Sequence, residues 1–433
     1  MSLMKRGNPL LEDSKQKYTQ WLIYFVGVFP FIDFMNGVFL SKGISIPIGT
    51  FYRIVLFIVL LFLFINHLEL VTSVFGLLMI LSMFVYFLLL AIQTIYFDNS
   101  FSTLFSDASA VTKYLLWFLI ALLFSKIAEP KMTQLFIAID SLFVVGLIVP
   151  YFLGLGNFTY ANSNAGYKSF FYATNDLTYV LVILCTLLLF VLITCFTKKQ
   201  WRPLFYLSLL YLANCYCLLL VGTKTGIIYS IASLIVTILY LLFFKSDIPF
   251  QVKFLLSQLI LIGIGFSLFW GKELFIGMIQ GTIDRMTYFY DLYDGNWIKI
   301  LSSSRSIYFE DAMTNFMEYP NNHWIFLFGF GVENRWEFFG RAGGYIEIDF
   351  LDTFFSYGAI GLLVFLLPLV YLIYRIFKKR LFNKYAFLLL VTFGFAATSG
   401  HVFYSAMSAT ILGLIVSRLL REESENEYLN DRA

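Results

Sequence analysis

Apolar residues run along this chain in blocks rather than in stripes. Stretches of roughly 20 residues, the length a helix needs to cross a bilayer, follow one another with short polar breaks. Reading the blocks gives candidate spans at about 19–38, 48–66, 70–96, 109–127, 131–153, 175–196, 203–221, 225–244, 252–270, 352–376, 384–399 and 402–420. One long hydrophilic interruption, residues 271–351, separates the ninth block from the tenth. Within it, SIYFEDAMTNFMEY sets Ile307, Phe309, Met313, Phe316 and Met317 at helical spacing. That spacing predicts an amphipathic helix lying along the membrane surface or over the bundle. The whole pattern predicts an all-α polytopic membrane protein of about twelve transmembrane helices, with one large extracytoplasmic segment between helices 9 and 10.

The polar breaks orient the bundle. With the amino terminus in the cytosol, every second break carries the basic residues: Lys5, Arg6, Lys15 and Lys17; Lys126 and Lys131; Lys198, Lys199 and Arg202; Lys245 and Lys253; Arg375, Lys378, Lys379, Arg380 and Lys384. The short loop 97–108 on the other side has two aspartates and no lysine or arginine. Every turn of this count obeys the positive-inside rule. Residues 1–18 and the tail 421–433 are then cytosolic, 19–270 hold helices 1–9, and 352–420 hold helices 10–12. Residues 271–351 form an extracytoplasmic, catalytic segment. Met1–Lys17 is polar and the first apolar block is membrane-length, so no signal peptide is expected.

Composition agrees with this class: 60% of residues are hydrophobic and 13% charged, against roughly 25% charged in soluble domains. The net charge of +3 is too small to imply a nucleic-acid partner. Cys185, Cys195, Cys215 and Cys217 all lie in apolar blocks, where they read as packing residues rather than a disulfide or zinc framework. No inverted halves with paired broken helices are visible, which weighs against a secondary transporter. There is no ATP or dinucleotide motif.

The polar residues on the outer side are the candidate chemistry. Asp33, Asn36 and Gly37 close the first block and Arg53 lies in the second. Arg53 is either the partner of Asp33 or part of an anion site, because a charge in a span faces the bundle interior or a water-filled cavity. AGYKSFFYATND (165–176) carries Lys168, Asn175 and Asp176 into the sixth block, and its Thr174–Asp176 also suits an ordinary helix N-cap. The turn GTKTG (222–226) sets Lys224 at the start of the eighth helix, where exposed N–H groups favour a phosphate; a tight turn with a snorkelling lysine is the plainer reading. In the large segment, Arg305 follows SSS, a Gly-x-Gly turn lies at 329–331, Arg335 and Arg341 follow, and Glu347, Asp349 and Asp352 lead into the tenth helix. One acid there, most naturally Asp352, suits the helix dipole. Two more beside arginines suggest a carboxylate base next to a cationic phosphate clamp.

These features together resemble the O-antigen ligase and Wzy-type polysaccharide polymerase superfamily, in particular the exopolysaccharide and capsule repeat-unit polymerases of Gram-positive bacteria. SSSR (302–305) looks like the family's Ser-Gly-Arg element, and LFGFG (327–331) like its Gly-x-Gly turn. EIDFLDTFFSYGAIGLL (347–363) is similar to the stretch that enters the next helix with Tyr-Gly-x-x-Gly; PFIDFMNGVF and IPIGTFYRI near the amino terminus also look like polymerases of this group. One departure matters: relatives begin that last stretch with His-Asn, where this chain has Glu347 and Ile348.

The resemblance implies glycosyl transfer at the outer face of the bacterial cytoplasmic membrane. One undecaprenyl-diphosphate-linked oligosaccharide gives its glycan to the terminal sugar of another, with no nucleotide, cofactor or metal. The implied diphosphate ligands are Arg305 first, then Lys224, Arg53 and Arg341. Glu347 is the implied base, with Asp349 and His401 in reserve, and Lys168, Arg335 and Asp352 are further candidates. His67, His323 and His401 are scattered, so no metal cluster is expected. A flippase and a chain-length regulator of the same pathway are the expected partners, besides the bilayer. The rival readings are a ligase that moves glycan to another acceptor and a flippase of lipid-linked oligosaccharide.

Overall fold

The computed structural model describes residues 20–44, 46–160, 165–240, 243, 280, 283–284 and 286–430, with the side chains of 301, 341–343 and 422–430 excepted. Its helices are α1 Gln20–Ser41, α2 Ile48–Ile65, α3 Leu68–Val71, α4 Val74–Phe97, α5 Phe101–Phe124 and α6 Glu129–Phe152. After a hairpin of β1 Asn157–Tyr160 and β2 Ala165–Ser169 come α7 Thr174–Thr197, α8 Trp201–Val221 and α9 Lys224–Leu239. The large polar segment holds α10 Trp297–Leu301, α11 Arg305–Glu318, α12 Asn322–Phe328 and α13 Val332–Gly343. The chain closes with α14 Asp349–Lys378, α15 Lys384–Thr398 and α16 Ala406–Asn430.

The protein is an all-α multi-pass membrane protein. Among the described residues, α1, α2, α4 to α8 and α14 are long and apolar enough to cross a membrane, and α9 and α15 are shorter apolar helices. The expected span 252–270 lies outside the described residues. Large exposed apolar side chains such as Phe51, Ile58 and Phe62 on α2 fit a helix that faces lipid. The opposite case is α5, where Tyr114 to Phe124 are all buried and pack against α16, itself buried from Ala406 to Leu419. This pair is the spine of the bundle.

Several boundaries differ from the sequence reading, each for a local reason. Ser73 accepts a hydrogen bond from Gly76 N, so α4 starts there and the turn α3 stands apart from the block at 70–96. Ser100 likewise caps α5 by accepting from Thr103 N at 3.2 Å, as N-terminal serines do. The expected loop 97–108 therefore shrinks to residues 98–100, and Asp107 lies inside α5, buried. The hairpin is also new: β1 and β2 pair antiparallel, with Phe158 opposite Tyr167 and Tyr160 opposite Ala165. Thr159 Oγ1 donates to the carbonyl of Val221 at 2.7 Å, docking the hairpin on the end of α8.

The amphipathic helix expected at 306–319 is α11. It does not lie alone on lipid, because Ala312 and Phe316 join Ile325, Phe330, Phe339, Ile346 and Phe355 in a small apolar core of their own. That core seats α11 to α13 on the start of α14. Asp107 helps hold it: its Oδ1 accepts from Val332 N at 3.0 Å and Glu333 N at 2.9 Å, capping α13 from a different helix. The Gly-x-Gly turn is part of the same joint. Phe330 N donates to Phe355 O at 3.0 Å and Gly331 N to Ser356 O at 2.8 Å, a strand-like pairing of 329–331 with the break in α14 at Gly358. A Cβ on Gly329 would stand 2.4 Å from Ser356 O, and one on Gly358 2.3 Å from Leu327 O. Both glycines also have positive φ, +75° and +68°, so backbone approach and conformation each exclude a larger residue.

Candidate functional site

All of this converges on a cavity of about 870 Å³ at the end of the bundle opposite the basic loops around 126–131, 198–202 and 375–384. Asp33 and Asn36 of α1, Arg53 of α2 and Lys113 of α5 line one side, with Asn175 and Asp176 of α7 and Thr223 and Lys224 at α9. Ser303, Arg305, Tyr308, Tyr345 and Glu347 come from the large segment, and Ser399, His401, Tyr404 and Ser405 from the α15–α16 turn. Residues scattered over the whole sequence thus face one space. Charged groups in a membrane bundle are rare and usually functional; here Arg53, Lys113, Lys224, Arg305, Asp33, Asp176 and Glu347 share one wall-to-wall setting.

Arg305 is the best-anchored of them. Its Nη2 meets Glu347 Oε2 at 2.6 Å, its Nε donates to Glu347 O at 3.1 Å, and Nη1 donates to Ser302 O at 3.3 Å. The guanidinium fork thereby ties the start of α11 to the segment before α14. It is made possible by the SSS turn, where Ser303 and Ser304 take positive φ of 53° and 72° and let α11 start with Arg305 aimed inward. Glu347 (φ 61°) and His401 (φ 62°) are also left-handed. Such conformations cost about 1–3 kcal/mol each outside glycine and cluster at functional sites; here three of them, Ser303, Glu347 and His401, line one cavity.

Lys224 does not snorkel. Thr223 caps α9 by accepting from Gly226 N at 3.1 Å, and Lys224 Nζ crosses to Ile300 O at 2.8 Å and Ser303 Oγ at 3.3 Å. Lys224 and Arg305 are therefore tied to the same SSS turn. Arg53 pairs with Asp33, and its side chain also faces the cavity.

The acids divide sharply. Glu347 faces the cavity, held by Arg305 and, at 3.4 Å, by Asn175 Nδ2. Asp349 does not line it: its Oδ2 accepts from Val402 N and Phe403 N at 2.9 and 3.3 Å, and so fixes the turn that carries His401. Asp352 and Arg335 are likewise withdrawn from it. They form a buried pair at 2.7 Å, and Asp352 also accepts from Ile346 N and Ile348 N, locking residues 346–348 from behind. Lys168 lies on β2, where partial burial lowers its pKa; it does not line the cavity itself, and its Nζ donates to the carbonyl of Tyr172, which does, at 3.0 Å. Arg341 lies on α13, and its side chain is outside the described residues.

Of the charged cavity residues, the sequence singles out all but Lys113 and leaves Asp176 between candidate chemistry and an ordinary helix cap. The cap does not form, because α7 has no side-chain cap; Asp176 Oδ2 accepts instead from Ser405 Oγ, and its buried Oδ1 has no hydrogen-bond partner among the described residues. Lys113 was passed over inside the block 109–127, although a lone lysine in an apolar span was the signal to follow. His401 sits edge-on to Tyr345 at 5.6 Å and within electrostatic reach of Asp176. Burial pushes the Tyr345 hydroxyl up to about 12, so it stays protonated near neutrality and can donate but not act as a base. Among the described residues, no three His, Cys, Asp or Glu side chains are grouped as metal ligands would be.

The arrangement suits an anion flanked by proton acceptors. A sequence model described as O-antigen ligase like membrane protein matches residues 15–293 and 280–425. No curated protein matches the chain.

Proposed function

The chain belongs to the O-antigen ligase-like membrane protein family, a membrane transferase that handles glycans, and from that premise we propose that it is a polysaccharide polymerase. Its substrates are undecaprenyl-diphosphate-linked oligosaccharides, and it works at the outer face of a bacterial cytoplasmic membrane with both termini in the cytosol. The observation that supports this reading best is the convergence of Arg53, Lys113, Lys224 and Arg305 on one cavity that also holds Glu347, Asp176 and His401.

In this reaction the terminal hydroxyl oxygen of the acceptor glycan attacks the anomeric carbon of the donor. The bond from that carbon to the diphosphate oxygen breaks, undecaprenyl diphosphate leaves with the electron pair, and the hydroxyl proton passes to a base. Charge grows on the leaving diphosphate, where preorganised donors are most effective. Arg305 offers a planar fork for two oxygens and Lys224 a point charge beside it. Arriving diphosphate exchanges for the Glu347 carboxylate at Arg305 Nη2, which frees Glu347 to take the proton. Asp176, with an unpartnered oxygen and His401 at hand, is the second candidate base. Asp349, Asp352 and Arg335 position the loops that carry these groups.

The test uses purified full-length protein in nanodiscs, supplied with a synthetic undecaprenyl-diphosphate-linked repeat unit and no nucleotide or metal. A ladder of oligomers is expected. Arg305→Ala should abolish it, and Glu347→Gln should slow it about 100-fold or more, the range for loss of a general base, with protein amounts unchanged. A single transfer to an added foreign glycan without a ladder makes it a ligase; movement of intact substrate between leaflets makes it a transporter.

A further inference from the structure

A second, smaller cavity of about 210 Å³ opens beside the first. It runs between α2 and α5, which pack side by side, and is lined by Thr50, Ile54, Phe105, Ser109 and Leu116 among others. Arg53 and Lys113 line both cavities. The two spaces therefore meet at a pair of cations. The smaller one is flanked by lipid-facing side chains: Phe51 is 69% exposed, Phe101 82% and Phe105 50%. It is a mostly apolar groove leading from the hydrocarbon side to the polar cavity.

Lys113 is the informative residue. It lies halfway along a spanning helix, where a charge is costly unless it serves a polar pathway or partner. Among the described residues no hydrogen bond or ion pair engages it, whereas Arg53 is held by Asp33. A cation so placed, with an apolar groove on one side and a polar cavity on the other, suits a ligand that is itself anionic at one end and apolar at the other. Resting on the polymerase reading above, we propose that the α2–α5 groove is the entry and seat of the prenyl chain of the lipid diphosphate. Lys113 meets the diphosphate where the chain joins it. The groove takes only the first isoprene units; the rest of the chain stays in the bilayer. The remaining glycan then points into the large cavity toward Arg305 and Lys224. This arrangement separates binding work from chemistry: Lys113 and the groove hold the lipid end, while Arg305 acts on the breaking bond.

The experiment measures binding of two probes to full-length protein in nanodiscs: undecaprenyl diphosphate and inorganic diphosphate. Ser109→Phe and Thr50→Phe fill the groove from its two walls. Each should weaken undecaprenyl diphosphate at least 10-fold and leave inorganic diphosphate within 2-fold, and Lys113→Met should weaken both. A photoreactive phenylalanine analogue at Phe105 should label the prenyl chain, while the same analogue at Phe84, 65% exposed on α4, labels at background. Unchanged prenyl binding in both groove variants, or equal labelling at 105 and 84, overturns the groove. Binding of neither probe by wild-type protein overturns the groove and the lipid-diphosphate reading together. Loss of inorganic diphosphate binding in the Phe variants also counts against the groove, because it means that they damage the site itself.

Discussion

At the scale of single residues, the site is a contest over Arg305. Its guanidinium makes a 2.6 Å pair with Glu347 and two further backbone contacts, so its value lies in the shape of the fork as much as in charge. Arg305→Lys keeps the charge and loses the fork; polymer formation should fall at least about 10-fold, a cost of about 1.4 kcal/mol in the transition state, with protein abundance unchanged on an immunoblot. The two acids can be told apart by pairing variants with their neighbours. If Glu347 is the base, Glu347→Gln is severe and Asp176→Asn mild, and single-turnover rates with saturating substrate would rank them directly. Behind these residues, Arg335 and Asp352 are wholly structural. Arg335 is 0% exposed, so removing one partner leaves an unpaired buried charge, which costs about 3–5 kcal/mol. Arg335→Met should therefore lower the unfolding temperature in detergent by far more than Arg305→Ala, and the double variant Arg335→Met/Asp352→Leu should recover part of the loss.

At the scale of elements, the Gly-x-Gly turn and the Tyr-Gly-x-x-Gly entry to α14 prove to be two halves of one joint. Gln93 binds both, its Nε2 donating to Phe328 O at 2.6 Å and Ser356 O at 2.9 Å. Gly358→Ala drives a methyl into Leu327 O and should reduce folded protein in the membrane sharply. Gly340→Ala is the control: φ is +65° there too, but nothing lies within 4 Å of the added carbon, so only backbone strain of about 1–3 kcal/mol is expected, from a φ/ψ region (ψ −162°) that essentially glycine alone occupies. Equal loss in both variants would show that backbone conformation, and not the 327–358 contact, sets the requirement. The joint explains what could be read in advance and what could not. Runs of apolar residues long enough for lipid declare themselves, and most helices here fall within a few residues of the expected bounds. Arg53 and Lys224 are visible as charges in or beside apolar blocks, and Arg305 and Glu347 as an arginine and an acid within the one long polar segment. Asp349 reads in sequence as a reserve base and Asp352 as a dipole partner or further candidate, and only tertiary contacts show both, like Asp107, spending their oxygens on backbone N–H groups. Lys113 is hidden by an ordinary explanation, a helix interior, while Asp176 is in view but shares its place with the plainer reading of a helix cap.

At the scale of the whole molecule, charge is segregated along the bundle. α7, which brings Asp176 to the cavity end, and α14, which starts just after Glu347, carry Lys198, Lys199, Arg375, Lys378 and Lys379 at or just beyond their far ends. The positive-inside rule then predicts a cavity on the outer side, where the proposed function needs it to meet a lipid-linked donor rather than nucleotide sugars. The prediction is open to direct labelling, because Cys185, Cys195, Cys215 and Cys217 are all buried and give little background. A cysteine at Tyr172, 77% exposed at the cavity end, should react with a membrane-impermeant maleimide in intact cells. A cysteine at exposed Lys199, at the far end of α7, should react only after permeabilisation. The reverse pattern would turn the cavity to the cytosol, where sugar nucleotides are available as donors, and the diphosphate clamp would then have to be reread as a nucleotide-sugar site.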